Sequence, residues 1–202
     1  KDRLRVVPVY FPHFSMHDES HSANIIKYLG LLLGKENIEK LSVSDIMMVC
    51  MAAYTHDISM SVSYEMIYEK MTSDEWKDIL KKYTESQQED LAKIAEQLLL
   101  FPEMEEKIKA VDIYADVVYI IEENFRSEHA KRSAEEIKEN RDLEKLFGIR
   151  LKKILAEICR LHGCSVSEIM NLPYLENGIF DDFIHPRFDA ALLALGDLLD
   201  MD

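Results

Sequence analysis

The apolar positions of this chain fall mostly at helical spacing. In "SANIIKYLGLLLG" (22–34), positions 25, 26, 29, 32 and 33 form a stripe on one helix face, and Gly34 marks its end. "SVSDIMMVCMAAYTHD" (42–57) opens on a capping serine, Ser42 or Ser44, and carries nine consecutive apolar residues, Ile46 to Tyr54. A helix that is apolar nearly all round belongs in a core. "SDEWKDILKKYTESQQEDLAKIAEQLLLF" (73–101) reads as one long amphipathic helix that stops before Pro102, and 103–125 as another. The segments 126–148 and 149–163 follow, each closed by glycine, and "HPRFDAALLALGDLLDMD" is a last helix starting near Pro186. No stretch alternates convincingly as a strand. The longest irregular piece, Cys164 to His185, has room for one short helix. The expected fold is all-α, a single compact bundle of seven or more helices.

Composition agrees, since 6 glycines and 5 prolines in 202 residues are too few for a turn-rich β fold. The formal charge of −14 argues against polyanion binding as a general mode, so nucleic acid is not an expected partner. A small anionic ligand remains compatible, because a metal or a local basic cluster overrides the net field. The three cysteines, Cys50, Cys159 and Cys164, form no CxxC pair, which suggests a reducing compartment and a cytoplasmic protein. No segment approaches the roughly 20 apolar residues of a membrane span, and the N-terminus lacks a signal-peptide core. A start at Lys1 and a stop within "DLLDMD" suggest a domain cut from a longer protein.

Several helices carry a polar residue where packing calls for an apolar one. His21 begins the first, His56 and Asp57 end the second, His129 sits within "FRSEHAKRSAEEI", and His162 ends "ICRLHG". Asp197 shares a helix face with Ala190, Leu193 and Ala194. Taken singly, each has a plain structural explanation, such as a histidine favoured at a helix C-terminus. Taken together, four imidazoles and two carboxylates at helix ends and on apolar faces suit one interior metal site for Mn, Fe, Co, Ni or Zn, with Mg also compatible. An ion would supply the partner that a buried carboxylate requires.

The order H…HD…H…H…D, with the flanks "ESHSANIIKYL", "AAYTHDISM" and "ALLALGDLLDMD", resembles the HD superfamily of metal-dependent phosphohydrolases. "RSEHAKRSAEEI" is most similar to HD domains inside larger multidomain bacterial proteins. The resemblance covers most of the chain, and about 61–124 reads as a helical insertion or lid of this member. It implies that His21, His56, Asp57 and Asp197 hold one ion and that His129 and His162 hold a second, with Asp57 bridging. His56 and Asp57 are then the catalytic pair, and a metal-bound hydroxide attacks phosphorus in line. Ser59 stands where many members have glycine. Met60 stands where the branch that hydrolyses cyclic di-GMP has lysine, and no GYP motif is present, which argues against that substrate.

Helical spacing adds a candidate phosphate face. Arg126, His129, Arg132 and Ser133 share one broad side, with Lys131 pointing away. The guanidinium fork suits phosphate oxygens. Pairing of the arginines with Glu122, Glu128 or Glu136 is the equal alternative. "HDESH" (17–21) places two histidines at i, i+4, as in zinc proteases, but aspartate stands in the glutamate position and the pattern leaves the other residues unexplained. His17 is retained as a substrate-side residue, whereas His13 and His185 read as structural or surface residues. The expected function is hydrolysis of a nucleotide or related phosphomonoester or phosphodiester. The alternatives are a ligand-sensing or regulatory HD module within a longer chain, or a helical interaction domain without metal.

Overall fold

In a computed structural model, which describes residues 19–60, 63–100, 110–179 and 181–200, the protein is all-α apart from one short ladder. Helix α1 spans Glu19–Ile38 and α2 spans Val43–Thr55. Ser42, not Ser44, is the cap of α2, its Oγ accepting the Asp45 N–H at 2.8 Å. Gly34 leaves helical geometry at φ 67°, a conformation that costs glycine little, and one further turn runs to Ile38. A 3-10 turn, Ile58–Met60, follows α2. Then come α3 (Tyr64–Thr72), α4 (Trp76–Thr84), α5 (Glu89–Leu100), α6 (Ala110–Glu139), α7 (Arg141–Leu161) and α8 (Val166–Ile169). Strands β1 (Glu176–Asn177) and β2 (Phe183–Ile184) pair antiparallel, Glu176 opposite Ile184, and α9 (Pro186–Leu199) closes the described chain.

Three boundaries differ from those the sequence suggests. The 73–101 helix is two, because at Ser86 the chain turns and the hydroxyl accepts the Gln88 N–H at 3.2 Å, a local bond that competes with the helix. No break separates 125 from 126. It falls instead at Asn140, whose Oδ1 accepts the Asp142 and Leu143 N–H groups at 3.0 Å and starts α7. Gly148 is a kink inside α7, at φ 75°, rather than a helix end. The two-residue strands were too short to leave an alternating pattern.

The described residues divide into two compact units, 19–60 with 129–200 and 63–100 with 110–128. In the first, α9 packs on α1, α2 and α7, and α2 packs on α1 and α7. The core between them holds Ile25, Met48, Ala52, Ile137, Leu155, Ile158 and Leu193. Each fully buried Ile or Leu stabilises the unit by roughly 1.5–3 kcal/mol. Gly196 lets α9 lie close against α1, since a Cβ there would sit 2.8 Å from Ile25 Cγ2. That approach brings Asp197 beside the start of α1. The second unit has its own core, in which Ile79, Leu80 and Tyr83 of α4 meet Leu91 and Ala95 of α5 and Ile120 of α6.

Candidate metal centre

Two histidines are set by the same device. His56 is the C-cap of α2 and His162 the C-cap of α7. The last carbonyls of a helix lack intrahelical partners. The His56 ring donates Nδ1–H to Ala53 O at 3.1 Å, and the His162 ring donates to Cys159 O at 2.5 Å. Each bond fixes the tautomer with the proton on Nδ1 and turns the Nε2 lone pair into the interior. His21, in the first turn of α1, is fixed from outside as well, its Nδ1 lying 2.8 Å from Asp200 Oδ2.

The inward atoms crowd together. His21 Nε2 lies 3.4 Å from His56 Nε2 and 3.2 Å from Asp197 Oδ1. His56 Nε2 lies 3.1 Å from Asp57 Oδ2 and 3.6 Å from Asp197 Oδ1. On the other side, His129 Nε2 of α6 is 3.4 Å from Asp57 Oδ1 and 2.9 Å from His162 Nε2. The two oxygens of Asp57 thus face opposite groups of histidines. Three sets, His21–His56–Asp57, His56–His162–Asp197 and Asp57–His129–His162, each bring their ligand atoms within 4.8 Å of one another and could hold an ion. His21, His56, Asp57 and His162 are all buried.

With both Nδ1 atoms protonated, the Nε2 atoms of His21 and His56 present lone pairs to each other and to two carboxylates. A positive charge has to sit among them. Without a metal it is a proton. Burial pulls the His56 pKa down, but the charge of Asp57 and hydrogen bonds to Asp197 and Asp57 outweigh it and lift the value to about 10. Asp197 is held below the usual carboxylate range, its own burial outweighed by the hydrogen bonds from His21 and His56. His162 moves the other way, to about 4, through burial and the charge of neighbouring His56. A divalent ion answers the same demand at a donor set of imidazole and carboxylate, so the residues fit a metal.

The turn after His56–Asp57 is stapled to α6. Ser59 Oγ donates to His129 O at 2.8 Å, Ser133 Oγ donates to Ser59 Oγ at 2.9 Å, and Arg132 Nη2 donates to Ser59 O at 3.2 Å. Ser133 is fully buried, so its place on the expected phosphate face is taken up by this staple. Arg126 belongs to the second unit, is exposed, and lies 3.7 Å from Glu123 Oε1. Lys131 is exposed, as the helical spacing suggests. His17 and His13 lie outside the described residues. Two residues of the centre's surroundings have no sequence signal of their role: Asp200 is one acid among several in "DLLDMD", and Ser59 stands out only as a departure from glycine. Away from the centre, His185, expected as a structural or surface residue, is partly exposed and pairs with Asp45 Oδ2 at 2.9 Å.

The sequence model of the HD-CE family matches residues 11–202. No curated protein and no solved structure matches the chain. Among the described residues, no helix is long and apolar enough to cross a membrane.

Proposed function

The chain belongs to the HD-CE family, an HD-type domain, and from that membership we propose that it is a metal-dependent phosphohydrolase acting on a nucleotide or related phosphoester. One observation carries the proposal: imidazoles anchored through their outer nitrogens turn Nε2 toward the carboxylates of Asp57 and Asp197. In this reading His21, His56, Asp57 and Asp197 hold one ion, and His129 and His162 a second. Asp57, whose oxygens face both groups, is shared. A divalent ion, when bound, supplies Lewis acidity toward water and neutralises charge on phosphoryl oxygens.

The chain's own residues do the positioning. Ala53 O, Cys159 O and Asp200 hold three rings in the ligating tautomer. Burial of His56 and Asp57 excludes bulk water and keeps the electrostatics strong. Arg132, beside the His56–Asp57 turn, is the proposed phosphate contact, and Arg126 and His17, the latter outside the described residues, are the further substrate-side candidates. We read 61–124 as an insertion or lid of this member, which is supported by the separate core of the second unit.

The test is elemental analysis of protein purified without chelator, followed by assays of p-nitrophenyl phosphate, bis(p-nitrophenyl) phosphate and nucleoside mono- and diphosphates with added Mn²⁺. One to two equivalents of transition metal and metal-dependent turnover are expected. No metal in the purified protein and none taken up from solution would overturn the proposal.

A further inference from the structure

Outside the metal centre, the first unit has a cavity of about 480 Å³ walled by Met170, Tyr174 and Phe188, with Lys40, Arg187, Asp45 and His185 as its polar lining. That volume is in the usual range of small-molecule sites, roughly 300–1,000 Å³. Two other cavities are comparable in size, but in each, lining carboxylates already pair with lining lysines, and neither sets an unpaired cation between two aromatic walls. Lys70 is paired with Glu75 in one, and Lys138 with Glu157 and Lys152 with Glu144 in the other. Here the cations hold only neutral partners. Lys40 Nζ donates to Asn37 Oδ1 at 3.1 Å, and Arg187 Nε donates to Leu172 O. Neither makes an ion pair among the described residues. The lining carboxylate is already taken, because Asp45 accepts the backbone N–H of His185 at 2.8 Å and its ring Nδ1–H at 2.9 Å. What remains is positive charge beside exposed aromatic surface, on a chain whose net charge is −14.

The aromatic walls are also open to solvent. Tyr174 is 71% exposed and Phe188 39% exposed, large values for aromatic side chains with a cavity between them. His185 stands edge-on to Tyr174, with ring centroids 6.0 Å apart. Its Nδ1 is tied to Asp45, which is buried to 2% side-chain exposure and sits in the first turn of α2. A ring oriented in this way keeps a fixed aspect toward the cavity and leaves Nε2 as a polar contact. Aromatic faces take a flat ring, and Lys40 and Arg187 take its negative substituent.

From this lining we infer a second ligand site, distinct from the metal centre, that takes a planar aromatic anion. The ring lies against Tyr174 and Phe188, and a carboxylate or phosphate lies toward Lys40 and Arg187. The probe is 2-naphthoate, titrated calorimetrically against the whole chain, with its neutral amide as the charge control. One equivalent should bind in the micromolar to millimolar range, and the amide at least about tenfold more weakly, the loss of one charge-assisted contact. Tyr174→Ala and Lys40→Gln alter exposed side chains without threatening the fold, and each should weaken 2-naphthoate at least about threefold. Chelator treatment should leave its affinity unchanged. Binding that vanishes with chelator places the carboxylate at the metal centre and overturns the inference. So does binding that neither substitution alters, equal affinity for the amide, or no binding at millimolar probe.

Discussion

At one end of α2, His56 gives its Nδ1–H to a backbone carbonyl and turns Nε2 toward His21, Asp57 and Asp197. At the other end, Asp45 takes the Nδ1–H of His185 into its own carboxylate, and buried Asp189 lies close enough to feel its charge. Both ends bury acids beside imidazoles in one helical unit. The first end leaves several lone pairs facing each other, a set that could hold an ion. At the second, histidine and aspartate pair one to one. The remaining acid, Asp189, is kept protonated by burial and by Asp45, with its pKa raised to about 9. A buried His–Asp pair therefore does not by itself mark a metal site. What separates the two ends is the direction of the second imidazole nitrogen and what it faces.

The sharpest way to break this comparison is to remove an acid from each end. Asp57→Ala should empty the metal centre and lower hydrolysis by about a thousandfold or more, some 4 kcal/mol of transition-state stabilisation. Asp45→Ala should leave metal content unchanged. It removes two bonds to a charged acceptor, each contributing about 1.5–3 kcal/mol, and should lower Tm by about 6–24 °C. Metal analysis beside a thermal melt reads both. Equal metal loss in the two variants would show that the α2 ends are one cluster, not two.

The two halves of the metal centre are separated next. His129→Ala or His162→Ala should lower the metal count by about one and leave the first ion bound, while hydrolysis falls about a hundredfold because the two-ion arrangement is lost. A variant that keeps its full metal count and its turnover would return both residues to structural roles.

These assignments were legible to different depths in the sequence. The histidines and aspartates of the centre stood out because polar residues interrupt apolar helices at 56–57, 162 and 197, and their order along the chain carried the HD resemblance. Local periodicity cannot show what Asp45 and His185 do, since they lie 140 residues apart and meet only when α9 docks on α2. Asp200 had no periodic signal either, and its contact with His21 spans 179 residues. The helix breaks at Ser86 and Asn140 depend on side chains bonding their own backbone, a competition that an amphipathic stripe hides.

A proton in place of a metal at the Asp45 end predicts a pH signature. Asp189 is fully buried, and neither of its oxygens has a hydrogen-bond partner among the described residues. Its pKa is raised from 3.8 to about 9, so the folded chain holds a proton that the unfolded chain releases. Stability from this group is complete below pH 4 and is lost as pH rises toward 9. In chelator-treated protein, where metal linkage is absent, Tm should fall by several degrees between pH 5 and 8, and Asp189→Asn should flatten that slope. An unchanged slope in the variant would mean that another group holds the proton.

The smallest expected effect concerns Arg132, which borders the metal centre without a ligand's geometry. Its Nη2 donates to Ser59 O at 3.2 Å, in the turn that follows His56–Asp57. Two roles compete for the guanidinium: a contact to substrate phosphate, or a brace for the turn. A phosphate contact predicts that Arg132→Ala leaves the metal count intact and lowers kcat/KM by about tenfold to a hundredfold, the value of one charge-assisted hydrogen bond. Arg132→Lys should recover little of it, because an ammonium lacks the two-pronged fork. A brace instead predicts a lower Tm, a weaker first ion, and the same loss in Ser59→Gly, which frees the turn from His129 O. Lys131→Ala, one position along and exposed, should be silent in every assay. Arg126→Ala should lower kcat/KM without changing metal content if Arg126 meets substrate, and should be silent if its guanidinium serves only Glu123, 3.7 Å away. If Lys131→Ala weakens turnover while Arg132→Ala does not, phosphate is held by the other side of α6.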